Sequence, residues 1–74
     1  MDSDFKIRPY PKWQLAQMYF PITPTRASAV RNFVNLMKTE PELMKSLEAA
    51  GYTPHQKYFT PRQVRLISEV LGEP

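Results

Sequence analysis

KYFTPRQVRLISEVLGEP, residues 57–74, carries more helix boundary signals than any other part of this chain. Thr60 and Gln63 have the spacing of a capping box, in which each side chain bonds the backbone N–H of the other residue. Pro61 stands at the first helical position, where a missing N–H leaves no helical bond unmade. A glycine and a proline close the segment, so the pattern predicts a helix over residues 61–71.

Two short extended segments are expected to pair into a small sheet. Residues 57–59 lie between prolines, which disfavour a helix there, and they are aromatic enough to pack against a core. Near the start of the chain, FKIR (residues 5–8) alternates apolar and basic side chains, which is the period of a half-buried strand. We therefore predict a two-stranded element formed by residues near 5–8 and 57–59.

Three further helices are predicted between these two strands. The first spans about residues 11–19. The second spans residues 24–38, and the pair Thr23 and Pro24 marks its start. The third begins at a capping box formed by Thr39 and Glu42, and it stops at Gly51 in a left-handed conformation. Matching apolar stripes on all four helices predict that they share one core.

The composition is that of one small domain. A chain of 74 residues is expected to fold as a single unit over residues 1–74. At this size it buries only about 60% of its unfolded surface, so a partner or self-association would add needed stability. The absence of cysteine rules out disulfides and favours a reducing compartment. With no apolar run of membrane-spanning length and no signal-peptide core, we expect a cytoplasmic protein without a membrane partner.

Enzymatic and metal sites are disfavoured because the residues for them are missing. The only histidine is His55, the only aspartates are Asp2 and Asp4, and no glycine-rich loop is present to hold a phosphate. A histidine base needs an orienting carboxylate and a nucleophile, and a metal site needs more ligands than one histidine. We expect no enzymatic activity, cofactor, metal or small-molecule substrate, and we place His55 in a surface turn.

Positive charge is concentrated in the first half of the chain. The net charge is only +3, yet no Asp or Glu occurs between residues 5 and 38. The cations in that stretch are Lys6, Arg8, Lys12, Arg26, Arg31 and Lys38. This half of the molecule is a candidate anion-binding surface, and ordinary solvation of a modest positive bias is the alternative interpretation.

The second predicted helix, residues 24–38, has a polar arc that contains only cations, amides and hydroxyls. Arginine can donate two bonds to guanine, asparagine can bond adenine, and hydroxyls and lysine bind phosphate. The base-reading candidates are Arg31, Asn32 and Asn35. The phosphate-contact candidates are Thr25, Arg26, Ser28, Lys38, Lys57 and Arg62. A plain solvated helix face is the other interpretation of this arc.

The order of elements resembles the winged helix-turn-helix domains of MerR-type regulators and phage excisionases. In those domains a leading helix supports a recognition helix, and a wing enters a final helix that begins at a Ser or Thr cap. Leu15 and Ala16 match the core of the supporting helix. The wing-to-helix junction is matched by Gly51, Tyr52, Lys57, Tyr58, Phe59 and Thr60. The resemblance implies a mainly α, four-helix winged helix-turn-helix-like domain with a short two-stranded β element.

A second and more specific resemblance spans nearly the whole chain. The segments YP, YFP, GYTPHQ and FTPRQVRLISEVLGEP are similar to an uncharacterised family of small bacterial proteins of unknown function. That resemblance implies no established activity.

Two functions follow as expectations. The first is a DNA-binding protein, either a small transcriptional regulator or an accessory factor of a phage or mobile element, that reads duplex DNA with the helix over residues 24–38. The alternative is a non-enzymatic protein-protein interaction module, such as an adaptor or antitoxin-like partner or a homodimer, that uses exposed aromatics and the face of the last helix.

Overall fold

The computed structural model describes residues 5–74, so Asp2 and Asp4 lie outside the described residues. In chain order the elements are β1 (Tyr10–Pro11), α1 (Lys12–Tyr19), α2 (Arg26–Lys38), α3 (Pro41–Ala49), β2 (Tyr58–Phe59) and α4 (Pro61–Leu71). The predicted mainly helical fold, with four helices and a small two-stranded sheet, is confirmed. Within these residues, every helix is too short or too polar to span a lipid bilayer.

The first strand does not lie where the sequence pattern predicts it. β1 pairs with β2 in antiparallel orientation, with Tyr10 opposite Phe59 and Pro11 opposite Tyr58. Residues 5–8 form no strand, so the prediction of a strand at these positions is wrong. The partner segment near residues 57–59 is confirmed, because β2 occupies two of those three positions.

The first strand lies at Tyr10 because the side chain of Tyr10 is buried in the core. Tyr10 is only 2% exposed, whereas Ile7 is 42% exposed, so a strand gains more from burial at Tyr10 than at Ile7. The Tyr10 hydroxyl donates to the Lys6 carbonyl at 2.8 Å, and the ring of Phe5 stacks on Tyr10 at 5.5 Å. The segment before β1 therefore folds against Tyr10 instead of extending along β2.

The core is centred on an aromatic contact between α2 and β2. Phe33 meets Phe59 edge to face with 5.9 Å between ring centroids, and Tyr19 stacks on Phe33 at 5.2 Å. The buried apolar residues are Tyr10, Leu15, Ala16, Ala29, Phe33, Met37, Leu43, Leu47, Tyr52, Phe59, Val64 and Ile67. Ala27 and Val70 fall on the apolar arcs of α2 and α4 but are exposed, and each lies one residue from the end of its helix.

One polar side chain, Gln63, is buried with the core and joins three segments. Its Oε1 accepts from the Thr60 amide at 3.1 Å and from Gln56 Nε2 at 2.7 Å. Its Nε2 donates to the carbonyl of Ala50, the C-cap residue that follows α3, at 3.2 Å. The Thr60 hydroxyl accepts from the Gln63 amide, so the predicted capping box is confirmed. The same glutamine thus caps α4 and fixes the chain that leads into it.

The junction between α2 and α3 differs from the prediction. Thr39 caps the end of α2, because its hydroxyl donates to the Leu36 carbonyl at 2.6 Å. α3 begins after Glu40, which makes no side-chain capping bond, so the predicted capping box of Thr39 and Glu42 is wrong. Gly51 does adopt the predicted left-handed conformation, with φ 89°, just beyond α3.

Tyr19 links α1 to the residues that follow α4. Its hydroxyl donates to the Gly72 carbonyl at 2.5 Å, across 53 positions of sequence. Burial and the nearby Glu73 carboxylate raise the pKa of Tyr19 to about 12. The folded protein therefore holds the Tyr19 proton more tightly than the unfolded chain does.

Replacing Gln63 with leucine is expected to destabilise the fold. The change leaves the Thr60 amide and the Ala50 carbonyl without their partners, and we expect the free energy of unfolding to fall by roughly 2–4 kcal/mol. Urea denaturation measures the loss, and Gln17→Leu, at a half-buried glutamine of α1, is the matched control. Equal losses in the two variants would contradict a special role for Gln63.

Because the pKa of Tyr19 is raised in the folded protein, we expect the free energy of unfolding to fall at high pH. An unfolded tyrosine ionises near pH ~10, whereas Tyr19 in the folded protein ionises at about 12. The stabilisation from Tyr19 is thus fully present below about pH 10 and is lost as the pH rises towards about 12. Denaturation of the wild type and of Tyr19→Phe across this range checks it. The difference between the two proteins should shrink as pH rises, and a constant difference would contradict the linkage.

Candidate nucleic-acid interface

α2 carries most of the predicted site residues, and Thr25 sets where this helix begins. The Thr25 hydroxyl accepts from the Ser28 amide at 3.0 Å and donates to the Ser28 hydroxyl at 2.9 Å. The helix therefore begins at Arg26, two residues after the predicted start at residue 24. Thr25 and Ser28, both phosphate-contact candidates, serve here as a helix cap.

A basic hollow of about 370 Å³ lies beside α2 and is open to solvent. It is lined by Lys12, Arg31, Val34, Asn35, Lys38, Met44, Tyr52 and Pro54. Arg31, Asn35 and Lys38 were predicted from the sequence, and the structure brings them together with Lys12 from α1. Three cations and an amide thus surround one concave surface, and none of the residues 5–74 that line it is acidic.

Asn32 is separated from this hollow although it belongs to the same exposed arc. It lies about 100° around the helix axis from Arg31, whereas Asn35 lies one turn further along from Arg31. Asn32 is exposed and lines neither the basic hollow nor the second hollow that is described next. Around the axis, Asn35 therefore occupies the middle of the arc, with Arg31 and Asn32 on its two sides.

An aromatic hollow of about 310 Å³ lies next to the basic hollow. It is lined by Pro11, Lys12, Trp13, Val30, Gln56, Lys57 and Tyr58. Lys57, a predicted phosphate contact, lies here and not on the α2 arc. Trp13 is 37% exposed and Tyr58 is 62% exposed, so two large rings meet solvent at this place.

Lys12 lines both hollows and is held there by the chain before β2. Its amide donates to the Lys57 carbonyl at 2.8 Å, and its Nζ donates to the Pro54 carbonyl at 3.0 Å. The ammonium also lies 5.8 Å from the centroid of the Tyr52 ring. Burial lowers the pKa of Lys12 and raises that of Tyr52. Lys12 is thus a fixed cation at the centre of the surface.

The family model described as Domain of unknown function (DUF4248) matches residues 6–74. The chain belongs to the DUF4248 family. The predicted membership of an uncharacterised family is thereby confirmed, and the DUF4248 match includes all the residues that line the two hollows. No curated protein and no solved structure matches the chain. The resemblance to MerR-type and excisionase domains stays a prediction.

In this DUF4248 domain Arg26, a phosphate-contact candidate, contacts an aromatic ring. Its guanidinium carbon lies 3.8 Å from the centroid of the Trp13 ring, which is the geometry of a cation–π contact. The contact joins the first turns of α1 and α2. Trp13 itself is partly exposed.

Arg62 and His55 lie outside both hollows. Arg62 is exposed in the first turn of α4, and His55 is exposed in the turn before β2, as expected from the sequence. Between residues 5 and 74, no three or more His, Cys, Asp or Glu side chains are grouped so that they could hold a metal ion. The chemistry of the DUF4248 surface is therefore that of cations, amides and aromatic rings.

The acidic side chains of this DUF4248 domain occupy another part of the chain. Within the described residues, the acids are Glu40, Glu42, Glu48, Glu69 and Glu73. All of them belong to α3, to α4 or to residues next to these helices, and none lines either hollow. An approaching polyanion would therefore meet attraction at the two hollows and repulsion at the outer side of α3, where Glu42 and Glu48 outnumber Lys45.

Removing the Arg26 guanidinium should expose Trp13, which is the single tryptophan of the chain. In Arg26→Ala we expect the quenching constant of Trp13 fluorescence with acrylamide to rise, because one neighbour of the ring is lost. Stability should fall by about 0.5–1 kcal/mol. Arg31→Ala removes an equal charge from the same helix and should leave the quenching constant unchanged. Equal quenching in all three proteins would contradict the contact.

Proposed function

We propose that this protein binds duplex DNA with the exposed arc of α2 in the major groove, in the manner of a winged helix-turn-helix domain. The observation that carries the proposal is the convergence of Lys12, Arg31 and Lys38 with Asn35 around the acid-free basic hollow. A small transcriptional regulator, or an accessory factor of a phage or mobile element, is the biological role that fits such binding.

Phosphate contacts would supply most of the affinity. Four cations line the two hollows, namely Lys12, Arg31, Lys38 and Lys57. Each phosphate that is neutralised on duplex DNA contributes about −0.9 to the slope of log affinity against log salt. Phosphate contacts from the three lysines, with Arg31 directed to a base, would therefore give a slope of roughly −3.

Base reading would come from the middle of the exposed arc. Asn35 has the donor and acceptor that match adenine in the major groove, and Arg31 has the paired donors that match guanine. Asn32 would extend the contact to the other flank of the helix. Arg31 and Asn35 are both exposed, so neither must leave the core to reach a base.

The loop over residues 53–57 would contact the DNA backbone as a wing does. This loop is anchored by Gln56, whose Nε2 donates to the Tyr58 carbonyl at 2.8 Å and to Gln63 Oε1 at 2.7 Å. Gln56 Oε1 also accepts from the Thr53 amide at 3.0 Å. A loop held in this way keeps Lys57 in place, which reduces the ordering cost of binding.

A protein interaction module is the second candidate function. Ile22, in the turn between α1 and α2, is 93% exposed, and Val70 on α4 is 47% exposed. Apolar side chains of this size at the surface are typical of contacts with another protein when they form a patch. Measurement of the solution mass of the pure protein, with and without duplex DNA, separates a self-associating module from a DNA-binding monomer.

Substitutions on α2 test the DNA-binding proposal. Arg31→Ala should weaken duplex binding by roughly 1–3 kcal/mol if the guanidinium contacts a base. Lys38→Ala should weaken binding to all sequences alike and reduce the salt slope by about 1. Fluorescence anisotropy with labelled duplex DNA over a range of salt concentrations measures both effects.

Lys45→Ala is the matched control, because it removes one exposed charge from α3, away from both hollows. It should leave the affinity nearly unchanged. Binding that is independent of salt, or equally weakened by all three substitutions, would contradict the proposed interface.

A further inference from the structure

The aromatic hollow contains two rings that have no part in the proposed reading of duplex DNA by α2. Trp13 and Tyr58 both line it, and both rings are partly exposed. The pairing of Pro11 with Tyr58 in the sheet, and the bond of the Lys12 amide to the Lys57 carbonyl, fix the two sides of the hollow relative to each other. Two aromatic side chains are therefore held at one concave site.

The polar groups around these rings are mostly engaged within the protein. Both Nε2 protons of Gln56 are donated, to Tyr58 and to Gln63, and its Oε1 accepts from Thr53. The Lys57 carbonyl is bonded to the Lys12 amide. The hollow thus offers ring surface and the ammonium groups of Lys12 and Lys57, and Gln56 has no amide proton left to distinguish one base edge from another.

This combination matches one nucleotide in which the base is unpaired. Aromatic side chains stack on any base because every base has a π-face, and lysines bind the adjacent phosphates. A volume of about 310 Å³ is small among ligand sites, which range from about 300 to 1,000 Å³. A single base fits that scale better than a run of bases does.

We propose that the aromatic hollow binds one unpaired nucleobase, of any identity, stacked on Tyr58 beside Trp13 while the adjoining duplex lies on α2. The inference rests on the proposed function, since α2 and the basic hollow bring the nucleic acid to this place. It adds a preferred class of ligand, which is DNA with a bulged or extrahelical nucleotide. Such DNA should bind more tightly than a fully paired duplex.

Three duplexes of equal length test the inference. The first is fully paired, the second carries one bulged thymine, and the third carries an abasic bulge, which keeps the bend and the phosphates but lacks the base. Trp13 is the single tryptophan, so its fluorescence reports directly on the hollow. The thymine bulge should bind about 5- to 100-fold more tightly than the abasic bulge and should quench Trp13 more strongly.

Substitutions at Tyr58 assign the effect to the hollow. Tyr58→Ala should remove most of the preference for the thymine bulge and leave binding of the paired duplex unchanged. Tyr58→Phe keeps the ring and should retain the preference. Val70→Ala, at an exposed apolar position of α4, should change neither.

The outcomes separate this inference from the proposed function. Equal affinity and equal quenching with the thymine and abasic bulges, together with salt-dependent duplex binding, would overturn the inference and leave the proposed function in place. Absence of binding to all three duplexes would overturn both. A preference for the thymine bulge that survives Tyr58→Ala would also overturn the assignment to this hollow.

Discussion

The buried amide of Gln63 holds together the end of α3, the start of α4 and the loop between them. It satisfies the Thr60 amide at the start of α4, the Ala50 carbonyl at the end of α3, and the side chain of Gln56 in the loop between them. A buried amide that lost these partners would leave several polar groups without bonds, so the arrangement tolerates few alternatives. Because Gln56 is fixed in this way, the loop over residues 53–57 presents its carbonyls to Lys12. The surface of the two hollows is therefore a consequence of how α4 is capped.

Lys12 links the loop over residues 53–57 to the proposed DNA-binding surface. It bonds Pro54 and Lys57 in the fixed loop, and it lines both hollows, so it links α1 to the chain before β2. The acids of the described residues belong to α3, α4 and their flanks, so none of residues 5–74 brings a negative charge to the lining of the two hollows. A polyanion would be attracted and oriented by the same charge distribution. In the proposed complex, α2 reads the duplex and the aromatic hollow holds a base that has left it.

The sequence predicted those parts of the fold that depend on local signals. α4 has the predicted bounds because its cap, its proline and its terminal glycine act within a few residues. The first strand was misplaced because alternation at residues 5–8 does not reveal whether a core is available to bury it. Thr39 was assigned to the wrong helix because a hydroxyl at a junction can cap either neighbour. Similarly, Arg31, Asn35 and Lys38 were predictable from one helix, whereas the place of Lys12 depends on a contact across 42 positions.

Mapping of backbone amide chemical shifts during titration with a short mixed-sequence duplex tests most directly whether α2 and the two hollows bind DNA. At low salt, we expect the largest changes at Lys12, along α2 and in the loop over residues 53–57, and we expect them to diminish as salt is added. The amides of α3 and of the C-terminal half of α4 should change little. Changes concentrated on α3 and α4, or no change at saturating DNA, would contradict the claim that the acid-free surface binds nucleic acid.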